Sequence, residues 1–218
     1  MTTENLFKDM SNNVPQTISL ADGAVLLRGF VKDIDQPLLQ AVEEVAVQSP
    51  FRHMITPGGF RMSVAMTNCG SVGWVTDSTG YRYDPIDPEN GKNWPVMPAV
   101  FLDTAKRAAT VAGFEKFYPD ACLINCYEPG ARLSLHQDKD ERDADAPIVS
   151  VSLGLTAIFL FGGNTRSIRP KRYQLEHGDV VVWGGPSRFV YHGIAPLAQG
   201  SHPVTGARRI NLTFRKAR

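Results

Sequence analysis

The chain has 218 residues and nearly balanced charge, with 23 Lys and Arg against 22 Asp and Glu and a formal net charge of +1. Hydrophobic residues make up 43% of it, which is enough for a sizeable core and excludes global disorder. This weak net charge neither requires nor excludes a polyanionic partner, so contact with nucleic acid would need a local basic patch. Three cysteines cannot form a dense disulfide framework, and we expect Cys122 and Cys126 to be buried apolar side chains in a reduced, cytoplasmic protein.

The first half of the chain contains two predicted helices. Residues 1–16 are polar and acidic and predict a flexible N-terminal arm. This segment is not expected to be a secretory signal, because such a signal would need an apolar core. A strand over 24–30 precedes a helix for which Asp35 is the expected N-cap. Residues 79–95 are rich in Pro, Gly and aromatics and predict a long surface segment of a kind that is often functional. The second helix is expected over 98–112.

From residue 121 onward the pattern changes to closely spaced strands. The consecutive apolar runs IVSVSLGL (148–155) and TAIFLFGG (156–163) suggest a hairpin. Regular short strands at this density predict a barrel or a sandwich. No apolar run approaches the ~20 residues of a membrane helix, so no membrane contact is expected.

The segment LSLHQD places titratable groups at the end of one strand. His136 and Asp138 are two residues apart and share a face if the strand continues, either as a solvated strand end or as part of a metal site. His177 and His192 are the candidates for a third ligand. His177 lies in a turn, where a hydrogen-bonding role suffices, whereas an unpaired His192 at the end of an apolar strand would be costly. Two imidazoles and one carboxylate suit non-haem Fe(II) oxygen chemistry, and His192 is favoured.

The final strand, RINLTFR, has two unlike faces. Alternation puts its two arginines with an amide and a hydroxyl on one face and three apolar side chains on the other. Guanidinium groups bind carboxylates through paired hydrogen bonds. A small dicarboxylate could therefore be held along this strand at one end and chelate iron with the other.

These motifs together resemble one known family. The sequence HQD at 136–138, His192, the pattern R-x-N-x-T-x-R at 209–215 and NCYEPG at 125–130 resemble the Fe(II)/2-oxoglutarate-dependent dioxygenases of the AlkB family, particularly its bacterial members. Ordered matches extend over residues 49–215.

The resemblance implies a mainly β (α+β) fold with a double-stranded β-helix (jelly-roll) core and N-terminal helices packed against it. It implies a single dioxygenase domain over residues 17–218. Within that domain, 17–120 would hold the helices and a nucleotide-recognition segment, and 121–218 the catalytic core.

The resemblance also implies roles for individual residues, with Fe(II), 2-oxoglutarate and O2 as cofactors. The implied Fe(II) ligands are His136, Asp138 and His192. The implied 2-oxoglutarate pocket consists of Asn125, Tyr127, Arg209, Asn211, Thr213 and Arg215. The implied substrate-binding residues are Trp74, Tyr81, Arg82, Tyr83, Asp140 and Arg166. Cys126 stands where the family pattern has a basic residue, and we expect it to face away from its two neighbours.

The function implied by the resemblance is oxidative demethylation of N-alkylated bases, of the 1-methyladenine and 3-methylcytosine type. The substrate would be single- or double-stranded DNA, with RNA as a further candidate, and the products formaldehyde, succinate and CO2. The protein would act as a monomer that reverses alkylation damage directly. Asp140 would discriminate a cationic alkylated base by charge, with Lys139 and Glu141 as solvated neighbours. Residues 164–172 carry four cations and no acid, which suits phosphate contact.

Two other functions fit parts of the pattern. One is a 2-oxoglutarate oxygenase that hydroxylates a protein or a small molecule. The other is a non-enzymatic jelly-roll module with a structural metal, which would need a fourth protein ligand that the sequence does not supply.

Overall fold

The computed structural model describes residues 16–218, so the predicted N-terminal arm lies outside the described residues except for its last position. The described chain contains two α-helices, α1 (Asp35–Gln48) and α2 (Ala99–Val111). Its strands are β1 (Thr17–Ala21), β2 (Ala24–Leu27), β3 (Ala65–Gly70), β4 (Gly73–Asp77), β5 (Gly80–Asp84), β6 (Ala121–Tyr127), β7 (Leu133–His136), β8 (Ile148–Gly154), β9 (Ala157–Phe161), β10 (Lys171–Leu175), β11 (Val180–Trp183), β12 (His192–Ile194) and β13 (Arg209–Arg215).

The strands form two main antiparallel sheets and one small one. The larger sheet has seven strands in the order β1-β2-β11-β8-β13-β6-β3, and the second has four in the order β10-β9-β12-β7. Strands β4 and β5 pair only with each other. In the second half of the chain, consecutive strands alternate between the two main sheets except for β9 and β10, which pair with each other in the four-stranded sheet. This is the winding of a jelly roll and confirms the predicted fold class.

Apolar side chains pack on both faces of the larger sheet. Between the two main sheets, Trp183 of the larger sheet and Phe159 of the smaller one belong to the same buried cluster. On the opposite face of the larger sheet, residues of α1 and α2 share a second buried cluster with the sheet, in which Phe101 of α2 and Phe214 of β13 meet edge to face with ring centroids 6.0 Å apart. The alternation predicted for β13 is confirmed, because its apolar side chains face the helices and its polar side chains face the space between the sheets.

The predicted hairpin between residues 148–155 and 156–163 is wrong. Strand β8 lies inside the seven-stranded sheet, and β9 belongs to the four-stranded sheet. The chain crosses between them at Gly154, which has φ of 89° and sits where a Cβ would collide with Thr205. Two consecutive apolar runs look alike whether they pair or cross to another sheet, so periodicity could not separate the two outcomes.

Asp35 is not the N-cap of α1. Ile34 occupies that position without a side-chain cap, and Asp35 is the first helical residue. Its carboxylate instead accepts a hydrogen bond from Nε2 of His177 at 2.9 Å, while Nδ1 of His177 accepts one from the Gly154 amide at 3.0 Å. Both ring nitrogens of His177 are thus engaged in a turn, as predicted, and neither is free for a metal.

The segment 79–95 is more regular than predicted, because it contains β5 and a buried tryptophan. Trp94 is 4% exposed and donates from Nε1 to the Asp84 carbonyl at 2.8 Å. The three cysteines are free and buried, which confirms the expectation for Cys122 and Cys126. Among the described helices, none is long and apolar enough to cross a membrane.

Candidate metal centre

Two histidines and one aspartate converge at the end of the four-stranded sheet. His136 and His192 are directly opposite each other on β7 and β12, with ring centroids 4.4 Å apart. Asp138 lies just beyond β7, with its carboxylate oxygens 3.6 Å from Nε2 of His136 and 3.7 Å from Nε2 of His192. One ligand atom from each residue lies within 4.8 Å of the others. The structure therefore brings the three predicted ligands together, and they could hold one metal ion.

The two imidazoles are fixed in the tautomer that a metal requires. Nδ1 of His136 is 2.8 Å from the Ser134 carbonyl, and Nδ1 of His192 is 3.0 Å from the Val190 carbonyl. A carbonyl only accepts, so each Nδ1 carries the proton and each Nε2 lone pair faces Asp138. Burial, followed by the neighbouring His136, lowers the pKa of His192 to about 4, so this ring is neutral at pH 7.

Asp138 is a buried carboxylate held by an arginine. Arg215 donates to Oδ2 of Asp138 from Nε at 3.0 Å and from Nη2 at 2.7 Å. Although burial by itself would raise the pKa of Asp138, the Arg215 guanidinium and the two imidazoles keep it well below its ordinary value. The carboxylate is therefore ionised and oriented. An anionic oxygen donor beside two imidazoles is the ligand set that suits Fe(II) in non-haem oxygenases.

A second feature of the site is a buried guanidinium with unused donors. Arg209 is 1% exposed and donates from Nη2 to the Ser152 hydroxyl at 3.0 Å, while Nε and Nη1 are buried and have no partner. Its guanidinium carbon lies 4.9 Å from the centre of the Tyr127 ring. Burial lowers the pKa of Arg209, because the charged guanidinium is removed from water. A carboxylate from a ligand would satisfy both free donors.

The polar side chains between the arginines form one hydrogen-bonded row. Asn211 donates to the Ser150 hydroxyl and to the Val151 carbonyl, both at 2.8 Å. Its Oδ1 accepts from Thr213 at 3.0 Å and from Nδ2 of Asn125 at 3.2 Å. Oδ1 of Asn125 is buried without a partner. This row lines the space between Arg209 and Asp138 with oriented dipoles, a setting that fits a polar dicarboxylate such as 2-oxoglutarate.

The β4–β5 hairpin lies against the residues that follow Asp138. Trp74 and Tyr81 stack with ring centroids 5.6 Å apart and an interplanar angle of 21°. Trp74 donates from Nε1 to the Asp140 carboxylate at 3.0 Å. Tyr81 is 51% exposed. An aromatic pair, a carboxylate and an open surface beside the triad form a place where a flat cationic ring could bind.

The side chain of Glu141 is buried, so this residue is not the solvated neighbour that the sequence predicts. Its side chain is 2% exposed and accepts hydrogen bonds from the Tyr83 hydroxyl at 2.5 Å and from Nη2 of Arg188 at 3.0 Å. It also lies 3.3 Å from Nε of Arg215. Lys139 is exposed, as expected.

The two remaining predicted substrate residues are placed differently. Arg166 donates to the Leu135 carbonyl at 2.9 Å, which puts its guanidinium next to the ligand-bearing strand β7. Arg82 pairs with Asp77 at 2.9 Å and lies 3.4 Å from Asp84, so acids of its own hairpin compensate its charge. The structure brings Arg166 to the site and leaves Arg82 on the hairpin's ion pairs.

Sequence reasoning missed Arg188, although it lies only four residues before His192. It is 2% exposed, and its guanidinium donates hydrogen bonds to the loop that begins at Asp138. A buried arginine cannot be told from a surface one by local pattern, because SRFVY reads as the start of an ordinary strand.

A jelly roll that carries two imidazoles, one ionised carboxylate and a buried guanidinium with unpartnered donors defines the class of non-haem iron oxygenases that take an acidic co-substrate. Comparison with known proteins agrees. The family model of the 2OG-Fe(II) oxygenase superfamily matches residues 23–215.

Similar proteins narrow the family further. The alpha-ketoglutarate-dependent dioxygenase AlkB of Escherichia coli (strain K12) is 60% identical over 98% of this chain and 97% of its own length. The DNA N(6)-methyladenine demethylase ALKBH1C of Arabidopsis thaliana is 31% identical over 89% of this chain and 48% of its own length. A solved structure of OsALKBH1 superposes with a TM-score of 0.82 at 30% identity, covering 92% of this chain and 100% of that one. The chain belongs to the AlkB family of 2OG-Fe(II) oxygenases.

Proposed function

We propose that this chain is an Fe(II)- and 2-oxoglutarate-dependent dioxygenase that oxidatively demethylates N-alkylated bases in nucleic acid, and so reverses alkylation damage. The observation that carries the proposal is the buried Arg209, with two unpartnered donors, on the same polar row as Arg215, which holds the triad's Asp138. That arrangement fits an acidic co-substrate that spans from the guanidinium to the metal. The substrate side is supported by the aromatic hairpin beside Asp140.

In this proposal His136, Asp138 and His192 hold Fe(II) through two Nε2 atoms and one carboxylate oxygen. When bound, Fe(II) with 2-oxoglutarate and O2 supplies the oxidation that hydroxylates an N-methyl group, with succinate and CO2 as co-products and formaldehyde leaving from the base. The protein's own part is to orient these groups and to exclude water.

The 2-oxoglutarate pocket is assigned to the polar row. Arg209 would bind the far carboxylate with its free Nε and Nη1, beneath the ring of Tyr127. The amide of Asn125 and the Asn211–Thr213 pair would line the middle of the co-substrate. Arg215 keeps Asp138 ionised and in place.

Base recognition is assigned to the β4–β5 hairpin and to the acidic residues Asp140 and Glu141, which follow Asp138. Trp74 and Tyr81 offer aromatic faces for stacking, and the Trp74 indole N–H holds Asp140 beside them. A base methylated at a ring nitrogen is cationic, so the Asp140 carboxylate favours it over the neutral parent base. Tyr83 is fixed by Glu141 and would form one wall.

The polyanionic part of the substrate is assigned to the basic loop 164–172. Arg166 lies beside β7 in this loop, so a phosphate held there would lie near the triad. A methyl group inside a stacked duplex is out of reach, so the target nucleotide must be single-stranded or flipped out. The Arabidopsis relative is a DNA N(6)-methyladenine demethylase by name, which supports nucleic acid as the substrate. Arg82 would contact the nucleic-acid backbone only if its ion pairs opened.

DNA is the proposed substrate, with RNA as a further candidate. The protein is proposed to be a cytoplasmic monomer. In this proposal an arm at 1–16 precedes one dioxygenase domain over 17–218.

The test is formaldehyde release from oligonucleotides that carry 1-methyladenine or 3-methylcytosine, with and without 2-oxoglutarate. We expect release only with co-substrate and Fe(II), and none from unmodified oligonucleotide or from Asp138→Ala. Binding should weaken steeply as salt rises, because phosphate contacts release counterions. Turnover of 2-oxoglutarate that no alkylated oligonucleotide couples to formaldehyde would contradict the proposed substrate, and no turnover at all would contradict the proposed enzyme.

A further inference from the structure

Arg188 is a buried cation whose three guanidinium nitrogens all donate hydrogen bonds to one loop. It lies between β11 and β12, and its Nε donates to the Ala146 carbonyl at 3.0 Å, its Nη1 to the Asp138 carbonyl at 2.7 Å and its Nη2 to the Glu141 carboxylate at 3.0 Å. These acceptors span the loop 138–146, which connects β7 to β8. None of the functional roles assigned above uses this residue.

The two segments that Arg188 joins both carry metal ligands. Asp138 begins the loop, and His192 follows Arg188 by four residues. A second link joins the same segments, because Nε2 of Gln137 donates to the Phe189 carbonyl at 2.5 Å. Strand β7 ends at His136, so the place of Asp138 is not set by a strand ladder. Side-chain contacts must therefore set it.

Arg188 acts on Asp138 by two routes. Directly, it holds the backbone carbonyl of that residue. Indirectly, it holds Glu141, whose other oxygen lies 3.3 Å from Nε of Arg215, and Arg215 grips the Asp138 carboxylate at 2.7 Å. The main chain and the side chain of the ligand are thus fixed by two different arginines that share one glutamate.

We propose that Arg188 is a positioning residue of the metal centre, which places Asp138 for metal binding by clasping loop 138–146 to the segment that leads into His192. The inference rests on the proposed function only in that the triad binds metal. Partners outside the ligand set typically change metal affinity by about 10–100-fold when they are removed. Loss of the guanidinium would leave the carbonyls of Asp138 and Ala146 and one carboxylate oxygen of Glu141 without this donor.

The geometry also predicts that lysine cannot replace this arginine fully. The planar guanidinium reaches three acceptors in different directions, whereas an ammonium is a single point of charge. Arg188→Lys keeps the charge and should therefore keep part of the effect.

The test is the affinity of the full chain for Mn²⁺, a redox-stable probe of the triad, measured by calorimetry with 2-oxoglutarate at a fixed concentration. We expect Arg188→Ala to weaken Mn²⁺ binding by about 10–100-fold and Arg188→Lys to weaken it less. Arg52→Ala is the matched control, because Arg52 clasps Ser49 and Asp87 with a side chain that is 11% exposed and does not touch the triad. That variant should unfold at a lower temperature and bind Mn²⁺ as the unsubstituted chain does.

Equal Mn²⁺ affinity in Arg188→Ala and Arg52→Ala would overturn the proposal, since Arg188 would then serve stability alone. If Arg188→Ala does not fold, Arg188→Gln and Arg52→Gln are compared in the same way, and equal affinities again overturn it. The readout is separate from demethylation. An unsubstituted chain that binds Mn²⁺ but releases no formaldehyde contradicts the proposed function alone, and weaker Mn²⁺ binding in Arg188→Ala would still support the positioning role.

Discussion

The centre of the jelly roll and the β4–β5 hairpin meet at the same site but are built differently. Strands β6, β8 and β13 are buried at every position. The hairpin pairs only with itself, and β5 has no fully buried residue. Side-chain hydrogen bonds join it to the rest of the molecule, among them those of Asn68 with the Trp74 backbone at 3.0 and 3.1 Å.

The difference indicates a division of labour. Groups that hold a metal and an acidic co-substrate must keep one geometry for every substrate, and a fully packed sheet provides it. A hairpin that is packed less tightly can open locally at low free energy. Substitutions in the core should therefore lower 2-oxoglutarate turnover with or without nucleic acid. Substitutions in the hairpin should lower only the turnover that is coupled to demethylation.

The largest effect is expected from the triad. Asp138→Ala removes the anionic ligand and leaves Arg215 unpaired, so turnover of 2-oxoglutarate should fall by more than about 100-fold, beyond the range typical of outer-shell changes. Succinate formation without nucleic acid measures it. Lys139→Ala, which changes an exposed neighbour, is the control and should keep full turnover. Wild-type turnover in Asp138→Ala would remove this residue from the ligand set.

A smaller but still large effect is expected at the other end of the co-substrate. Arg209→Ala removes the buried guanidinium and should weaken 2-oxoglutarate binding by about 2–5 kcal/mol, or roughly 30- to several thousand-fold in affinity. Titration of 2-oxoglutarate into the anaerobic Fe(II) form, followed by its visible charge-transfer absorbance, measures it.

Arg208→Ala is the control for Arg209→Ala, because Arg208 is exposed and immediately precedes β13. A similar loss of 2-oxoglutarate affinity in both variants would mean that the charge of the region, and not the buried donors of Arg209, binds the co-substrate.

The hairpin should give a selective effect. Trp74→Ala removes one aromatic face and should lower demethylation by about 5- to 150-fold, since a base–aromatic stack contributes ~1–3 kcal/mol. Uncoupled 2-oxoglutarate turnover should stay unchanged, because no core strand is altered. The ratio of formaldehyde to succinate measures the difference, and Tyr118→Ala, at an aromatic that is 58% exposed elsewhere, is the control. A parallel fall of both products would place Trp74 in the scaffold.

The smallest effect concerns the hairpin turn. Hydrogen bonds from the Thr79 hydroxyl and backbone amide, with Arg82 beside them, lower the pKa of Asp77 to about 2. A lowered carboxyl pKa contributes stability that is present above the unfolded value of 3.8 and is lost as pH falls towards about 2. Thr79→Val should move this pKa back towards 3.8, as measured by NMR titration of the side-chain carboxyl. A pKa that does not change would show that Arg82 dominates instead.

Much of the site was predictable because its signals are local. Alternation in β13 separated Arg209 and Arg215 from the apolar face, and the His-x-Asp spacing marked His136 and Asp138. His192 was favoured over His177 from the expected cost of an unpaired imidazole, and the structure agrees, since His177 is bound in a turn.

The prediction failed where the deciding contact is distant in sequence. The sequence predicts a solvated Glu141, yet its side chain binds Arg188, which is 47 positions away. The crossing between β8 and β9 likewise depends on which sheet each run joins.

The sequence by itself determined the mainly β class, the ligand types and the polar face of the last strand, since these follow from residue chemistry and from a period of two along a strand. Only the tertiary structure decided that the three ligands lie within 4.8 Å of one another, that Arg209 is buried with free donors, and that Glu141 and Arg188 stand behind Asp138. The physical reason is that burial and pairing between segments depend on how the sheets close over each other, which no local pattern contains.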